Sequence, residues 1–125
     1  MLAYVMVGST NLKRSAKFYD AVMDALGYVR SESDKTFIGF GMKRAPDLTV
    51  FYVTRPYNRR KATVGNGTMI TLKARSRKAL DAFHAAALAN GGTDEGKPGP
   101  RVDGDPACYA YARDPDGNKI CATCP

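Results

Sequence analysis

Hydrophobic and polar residues alternate in blocks that predict a mixed order of strands and helices. Residues 2–8 form a short apolar run of strand length. Apolar residues at three- and four-residue spacing then predict a helix over 12–26, with capping oxygens at 9–11 and Gly27 as its stop. Three further strands are expected, separated by Ser-Asp-Lys and by the segment 44–47, and they cover residues 28–32, 36–42 and 48–54.

The same order begins again after a basic connector at residues 55–67. A strand is predicted at 68–74, followed by a helix that Ser76 caps and that the run Asn90-Gly91-Gly92 ends. A weak strand near 93–96 precedes a loop rich in glycine and proline. The last two strands are joined by the Asp-Pro-Asp-Gly turn at 114–117, and they cover residues 107–113 and 118–123.

The order β-α-β-β-β therefore occurs twice, with the copies about 65 residues apart. Both copies end alike, with YVTRP at 52–56 and CATCP at 121–125. We interpret this as a duplication within one α+β domain of residues 1–125. Module one covers about 1–56 and module two about 66–125.

Side chains alternate along a strand, so each strand divides into two faces. One set is uniformly apolar and is expected to pack under the helices: Ala3, Val5, Val7, Phe51, Val53, Ile70, Leu72, Ala74, Ile120, Ala122 and Cys124. The other set mixes aromatic, polar and sulfur groups, as the wall of a cleft would. Two mixed four-stranded sheets, each with a helix on its outer face, are predicted to enclose that cleft.

Composition places the chain among ordinary globular proteins, with 44% hydrophobic and 25% charged residues. No apolar run is long enough to cross a bilayer and no secretory signal is evident, so no membrane association and a cytoplasmic location are expected. Three cysteines near one end make a poor disulfide framework.

The net charge of +7 comes largely from two clusters of basic residues. One comprises Arg55, Arg59, Arg60 and Lys61, and the other Lys73, Arg75, Arg77 and Lys78. A nucleic-acid-binding protein would carry a recognisable reading module or aromatic residues interleaved with the basic ones. Neither is present, so a solvated basic face is favoured over nucleic-acid binding.

Four segments resemble the vicinal oxygen chelate superfamily, which holds glyoxalases, bleomycin-resistance proteins and extradiol dioxygenases. They are residues 2–8, 15–20 with 26–28, 82–84 and, as the most specific, RDPDGNKI at 113–120. The resemblance covers essentially the whole chain and implies its fold. The resemblance is only weak evidence about the reaction, because the superfamily carries several chemistries on one scaffold. Dimers are common there, so a homodimer is expected.

Metal-dependent relatives take a histidine from the first strand, a histidine from the fifth and a glutamate that follows the turn, with a further glutamate from the fourth strand. The resemblance places Tyr4, Met69, Cys121 and Tyr52 at those positions. A thioether, neutral phenols and one thiol are poor ligands for divalent cations that prefer imidazole and carboxylate. Because the chain has a single histidine, a His-His-Glu site is excluded, and no metal or other cofactor is expected.

The candidate site is an aromatic-lined pocket. Its predicted lining is Tyr4, Tyr52, Met69, Thr71, Tyr109, Tyr111 and Cys121. Lys73, Arg113 and Lys119 are candidates for anion recognition at its mouth, although solvated surface is the simpler interpretation. His84 is read as a histidine at the edge of the core, and Cys121 as a small buried thiol. The bulky side chains could equally fill a cleft that has lost its purpose.

Three functions follow. The first is a metal-independent protein of the bleomycin-resistance type that binds an aromatic or anionic small molecule. The second is a lyase or isomerase that uses Tyr4, Tyr52 or Cys121 as acid–base groups. The third is an interaction module with an inert cleft, whose basic surface engages a partner.

Overall fold

The chain folds into two consecutive βαβββ units, as the sequence predicts. A computed structural model describes all of residues 1–125. Module one contains β1 (Val5–Gly8), α1 (Leu12–Ala25), β2 (Tyr28–Ser33), β3 (Phe37–Met42) and β4 (Ala45–Thr54). Module two contains β5 (Ile70–Lys73), α2 (Arg77–Ala89), β6 (Thr93–Gly99), β7 (Cys108–Arg113) and β8 (Lys119–Cys124).

Each module forms its own four-stranded mixed sheet, and the two sheets have the same topology. Their strand orders are β1-β4-β3-β2 and β5-β8-β7-β6. The first and last strands of each module pair in parallel, and the other neighbours are antiparallel. The predicted duplication therefore extends from element order to strand pairing.

Both helices begin and end at the residues that their sequences favour. The Asn11 side chain accepts a hydrogen bond from the Arg14 amide at 3.0 Å, and Ser76 caps α2 through the Ala79 amide at 3.1 Å. Gly27 takes a left-handed conformation directly after α1 (φ +86°), which a side chain would disfavour.

One hydrophobic core joins the two modules. The predicted apolar set faces the helices and is buried or partly buried, except that Ala3 is exposed because β1 begins only at Val5. The helices α1 and α2 pack against each other, whereas no strand of one sheet lies beside a strand of the other. Within one chain each helix therefore lies at the contact between modules, and the opposite face of each sheet is open.

The β3–β4 connection is shorter than predicted. Residues 44–47 were expected to form a turn, but β4 begins at Ala45. Gly41 pairs with Thr49 and Met42 with Ala45, so residues 46–48 form a bulge. A Cβ on Gly41 would stand 2.7 Å from the Leu48 carbonyl oxygen, which explains why glycine occupies this position.

The turn after β7 is tied to module one by a buried polar network. The Tyr19 hydroxyl donates to Asp114 Oδ2 at 2.5 Å, and Asn118 Nδ2 donates to the same oxygen at 2.8 Å and to the Gly8 carbonyl at 2.9 Å. Nearby, Asp116 accepts hydrogen bonds from the Thr10 amide, the Ser15 hydroxyl and Arg14. The RDPDGNKI segment thus fixes one module against the other.

Burial and the neighbouring Asp114 carboxylate raise the pKa of the Tyr19 phenol well above its ordinary value. The unfolded chain therefore releases this proton near pH 10, before the folded chain does. The resulting stabilisation is complete below pH 10 and is lost as pH rises toward the folded-state pKa.

Neither helix of the chain has the length and apolarity needed to cross a membrane.

We expect the difference in unfolding free energy between the wild type and Tyr19→Phe to be constant from pH 7 to about 9.5. Above about pH 10 it should shrink by up to ~1.4 kcal/mol per pH unit. Urea unfolding of both proteins at several pH values measures it, and the other tyrosines cancel because both proteins contain them. A difference that stays constant to pH 11 would contradict the assignment.

Candidate ligand site

The first open face is the side of the β1–β4 sheet opposite α1. Tyr4 and Tyr52 lie on it with ring centroids 5.0 Å apart in an edge-to-face arrangement, and Phe37 lies 5.7 Å from Tyr52. Met6 pairs with Tyr52 across the strands. Tyr4 and Met6 are 52% and 53% exposed, so this face presents a large apolar and aromatic surface to solvent.

The second open face is the side of the β5–β8 sheet opposite α2. The rings of Tyr109 and Tyr111 are nearly parallel, 16° apart, with centroids separated by 6.2 Å. Lys119 Nζ lies 5.5 Å from the centre of the Tyr111 ring, within cation–π distance. Thr71 and Cys121 are paired across β5 and β8 beside them. Together these side chains make a cluster of stacked aromatic rings with a positive charge beside it, called the tyrosine platform below.

Two titratable groups of the second open face, Cys121 and Tyr111, stay neutral at physiological pH. Burial raises the pKa of the Cys121 thiol above its ordinary value, and it also raises the pKa of Tyr111. Cys121 is almost completely buried, as predicted. A thiol with a raised pKa is a poor nucleophile and a poor general base. These groups are therefore suited to packing and hydrogen bonding.

The seven predicted site residues fall into two groups in the structure. Tyr4 and Tyr52 lie on the first open face, and the others are on strands of the second sheet or, for Met69, directly before β5. No contact between the two sheets brings these groups together within one chain. Alternation along the strands assigned the faces, but it carries no information about how the modules are arranged.

Two residues of the first open face were missed by sequence reasoning. They are Phe37, beside Tyr52, and Glu32, whose Oε1 accepts a hydrogen bond from the Tyr52 hydroxyl at 3.3 Å. Phe37 shares its strand face with Gly39 and Gly41, and two glycines on one face hide the alternation that would have signalled it. Glu32 lies on β2, the edge strand next to the β3 strand of Phe37, and nothing in the sequence pairs it with Tyr52.

Other candidates have structural roles. Arg113 forms an ion pair with Glu95 and donates to the Gly117 carbonyl, so it fastens the turn and is not free at a cleft mouth. His84 is buried at the edge of the core, as predicted, with Nε2 2.8 Å from Asp94 Oδ1. The three cysteines are free thiols.

A solved structure similar to this chain decides its family. The crystal structure of a glyoxalase/bleomycin resistance protein from Albidiferax ferrireducens T118 is 43% identical to it, with a TM-score of 0.88. The match covers 100% of this chain and 98% of that one. The chain belongs to the glyoxalase/bleomycin resistance protein family.

More distant members of the glyoxalase/bleomycin resistance protein family share the fold. A glyoxalase-related enzyme from Fulvimarina pelagi is 18% identical, with 100% of this chain and 88% of that chain covered and a TM-score of 0.75. A glyoxalase/bleomycin resistance protein/dioxygenase family enzyme from Burkholderia phytofirmans PsJN is 15% identical, with 98% and 96% covered and a TM-score of 0.70. No protein-family model and no curated protein matches the chain.

The side chains of this glyoxalase/bleomycin resistance protein do not fit a catalytic metal of the His-His-Glu kind. No three His, Cys, Asp or Glu side chains come together in an arrangement that could hold an ion. Tyr4 and Met69, which stand where the resemblance places metal ligands, are a phenol and a thioether on open sheet faces. Such donors bind divalent cations weakly.

Proposed function

We propose that the protein binds a small planar organic molecule, aromatic or anionic, without the help of a metal ion. The observation that carries this proposal is the platform formed by Tyr109, Tyr111 and Lys119. The outer faces and edges of the stacked tyrosine rings offer a planar ligand an aromatic surface, and their hydroxyls can fix its orientation. The ammonium group at the edge favours a ligand that carries a carboxylate or another anionic group.

The site is completed by a second copy of the chain. Tyr4, Met6 and Met69 are large apolar side chains that stay about half exposed on the open faces of a single chain. Large exposed apolar patches are typical of surfaces that another molecule covers. A homodimer with twofold symmetry can set the first open face of each protomer against the second open face of its partner, which creates two equivalent clefts. Each ligand would then be enclosed by Tyr4 and Tyr52 from one copy and by the platform from the other.

An acid–base enzyme is the less favoured function. The raised pKa of Cys121 removes one of the three groups predicted for it, which leaves Tyr4 and Tyr52. Neither tyrosine hydroxyl shares a hydrogen bond with a lysine, an arginine or a histidine that would activate it; the partner of the Tyr52 hydroxyl is Glu32. Binding therefore explains the composition of these faces with fewer assumptions than turnover does.

Binding of 2-naphthoate in the presence of EDTA tests the proposal. We expect Lys119→Gln and Tyr111→Leu each to weaken the affinity about tenfold, because they remove the charge and one stacking surface. Isothermal titration calorimetry measures the affinity. Lys13→Gln, a matched loss of one exposed charge on α1, should leave it unchanged.

Three results would contradict parts of the proposal. Equal affinity of the wild type and both platform variants would show that the platform is not the site. Stoichiometric zinc, nickel, iron or manganese in the purified protein would contradict the claim that binding needs no metal ion. A monomer at the concentrations of the titration, measured by size-exclusion chromatography with light scattering, would remove the two-copy cleft.

A further inference from the structure

A second cleft lies between the modules, at the end of α1. Its volume is about 500 Å³, which is within the range of small-molecule sites. It is bounded by the end of α1, the β3–β4 turn, the end of β5 and the last residue of the chain. The lining residues are Leu26, Gly27, Tyr28, Met42, Lys43, Arg44, Lys73, Ala74, Arg75 and Pro125.

Four of these ten residues are cationic, and no aspartate or glutamate lines the cleft. Lys43 is paired with Asp24 outside it, at 3.3 Å. Arg44 has one side-chain hydrogen bond, to the Met42 sulfur at 3.7 Å, and no carboxylate partner. Lys73 and Arg75 form no ion pair. Three cations with no aspartate or glutamate partner therefore line one concave surface between the two modules, and their charge attracts anions.

Arg75 also has a structural use. Its guanidinium carbon lies 3.9 Å from the point where a Cβ on Gly27 would stand, next to the C-terminal end of α1. The last turn of α1 contains no basic residue of its own, so Arg75 supplies the positive charge that the helix dipole favours there. This role accounts for Arg75 but not for Arg44 or Lys73.

The remaining wall of the cleft is apolar. Leu26, Met42 and Ala74 line it together with the half-buried Tyr28 ring. Arg44 lies close enough to Tyr28 that its charge opposes the rise in the phenol pKa that burial causes. An aromatic ring beside a guanidinium group suits a ligand that carries an apolar body and an anionic group.

We propose that this cleft binds a small organic oxyanion, a phosphate or carboxylate attached to an apolar or aromatic group. Arg44 and Lys73 bind the anionic group, and Tyr28, Met42 and Leu26 pack against the apolar part. None of the three platform residues lines this cleft, and the proposal does not depend on the function proposed for the platform. The proposal thereby gives a role to Lys73, the first residue of the second basic cluster, that Arg77, paired with Asp81, does not share.

Titration of the full chain with phenyl phosphate, followed by NMR spectra of the backbone amides, tests the proposal. We expect the amides of Gly27, Arg44 and Ala74 to shift, while those of Tyr111 and Cys121 move less. The Arg44→Gln/Lys73→Gln double variant should bind about tenfold more weakly than the wild type. Binding should also weaken with added salt, because the interaction is between charges.

Phenol, which has the ring without the phosphate, is the ligand control, and the double variant Lys13→Gln/Lys35→Gln is the matched protein control at exposed positions. Phenol should bind much more weakly, and the control variant should bind phenyl phosphate like the wild type. Thermal unfolding shows whether each variant is folded.

The proposal is overturned if phenol binds as well as phenyl phosphate, or if no amide of the cleft shifts at millimolar phenyl phosphate. It is also overturned if Lys119→Gln abolishes the shifts while the folded cleft variant retains them. The last result would assign anion binding to the platform, whereas loss of 2-naphthoate binding alone would leave this cleft unaffected.

Discussion

Replacing Asp114 with alanine should lower the unfolding free energy by about 3–5 kcal/mol, a large share of the stability of a domain this size. The carboxylate is 4% exposed and accepts four hydrogen bonds, from the Tyr19 hydroxyl, the amides of Asp116 and Asn118, and the Asn118 side chain. Alanine leaves all four donors without their acceptor. The Tyr19 hydroxyl is the costliest of them because it is completely buried.

Urea unfolding measures this loss, with Asp103→Ala as the control. Asp103 is an exposed acid in the loop before β7 and forms no hydrogen bond through its side chain, so its replacement should change the free energy by less than about 0.5 kcal/mol. A double-mutant cycle with Tyr19→Phe separates the contribution of the pair. The losses of unfolding free energy should be less than additive in the double variant. Tyr19→Phe removes the hydroxyl that Asp114→Ala leaves without an acceptor. A loss below about 1 kcal/mol for Asp114→Ala would show that the network does not hold the modules together.

The sequence predicts the elements well because the signals that specify them are local. The helix caps at Asn11 and Ser76 and the glycine stops all lie within a few residues of the ends that they determine. Strand boundaries shift by a few residues where a bulge intervenes, as at Gly41. The turn at 114–117 was recognised as a turn, but its part in joining the modules was not, because Asp114 meets Tyr19 across 95 residues.

The candidate site was predictable only in part, for the same reason. Alternation of two residues along a strand placed Tyr52 and Cys121 on the faces that turn away from the helices. It could not reveal that α1 and α2 meet at the contact between modules, which leaves those faces open in one chain. Nor could the alternation show that Lys73 and Lys119 lie at different sites. Both were candidates for the same cleft mouth, whereas Lys119 lies at the tyrosine platform and Lys73 lines the cleft between modules.

The modules also meet where the α2–β6 turn approaches α1, and Gly92 is the residue that permits this approach. A Cβ on Gly92 would stand 2.6 Å from Phe18 Cε2, 2.7 Å from the Ala87 carbonyl oxygen and 2.8 Å from the Arg113 carbonyl oxygen. All three distances are shorter than side chains tolerate, and two of the three neighbours are backbone atoms, which cannot turn aside. Phe18 is fully buried in the shared core, so it has no free space to move into.

We therefore expect Gly92→Ala to lower the unfolding free energy by about 2–3 kcal/mol, as overpacking of a filled interior does. Gly99→Ala is the matched control, because Gly99 is the last residue of β6, the strand that Gly92 directly precedes, and a Cβ there meets no atom within 4 Å. Its effect should stay within about 0.5 kcal/mol. A second substitution, Phe18→Leu, should restore part of the loss in Gly92→Ala if the clash with the ring is its cause, since the ring atom nearest the new methyl group is gone. Equal losses in the two glycine variants would mean that the loss does not depend on the atoms around the new Cβ. The close approach between the modules would then not explain the glycine at position 92.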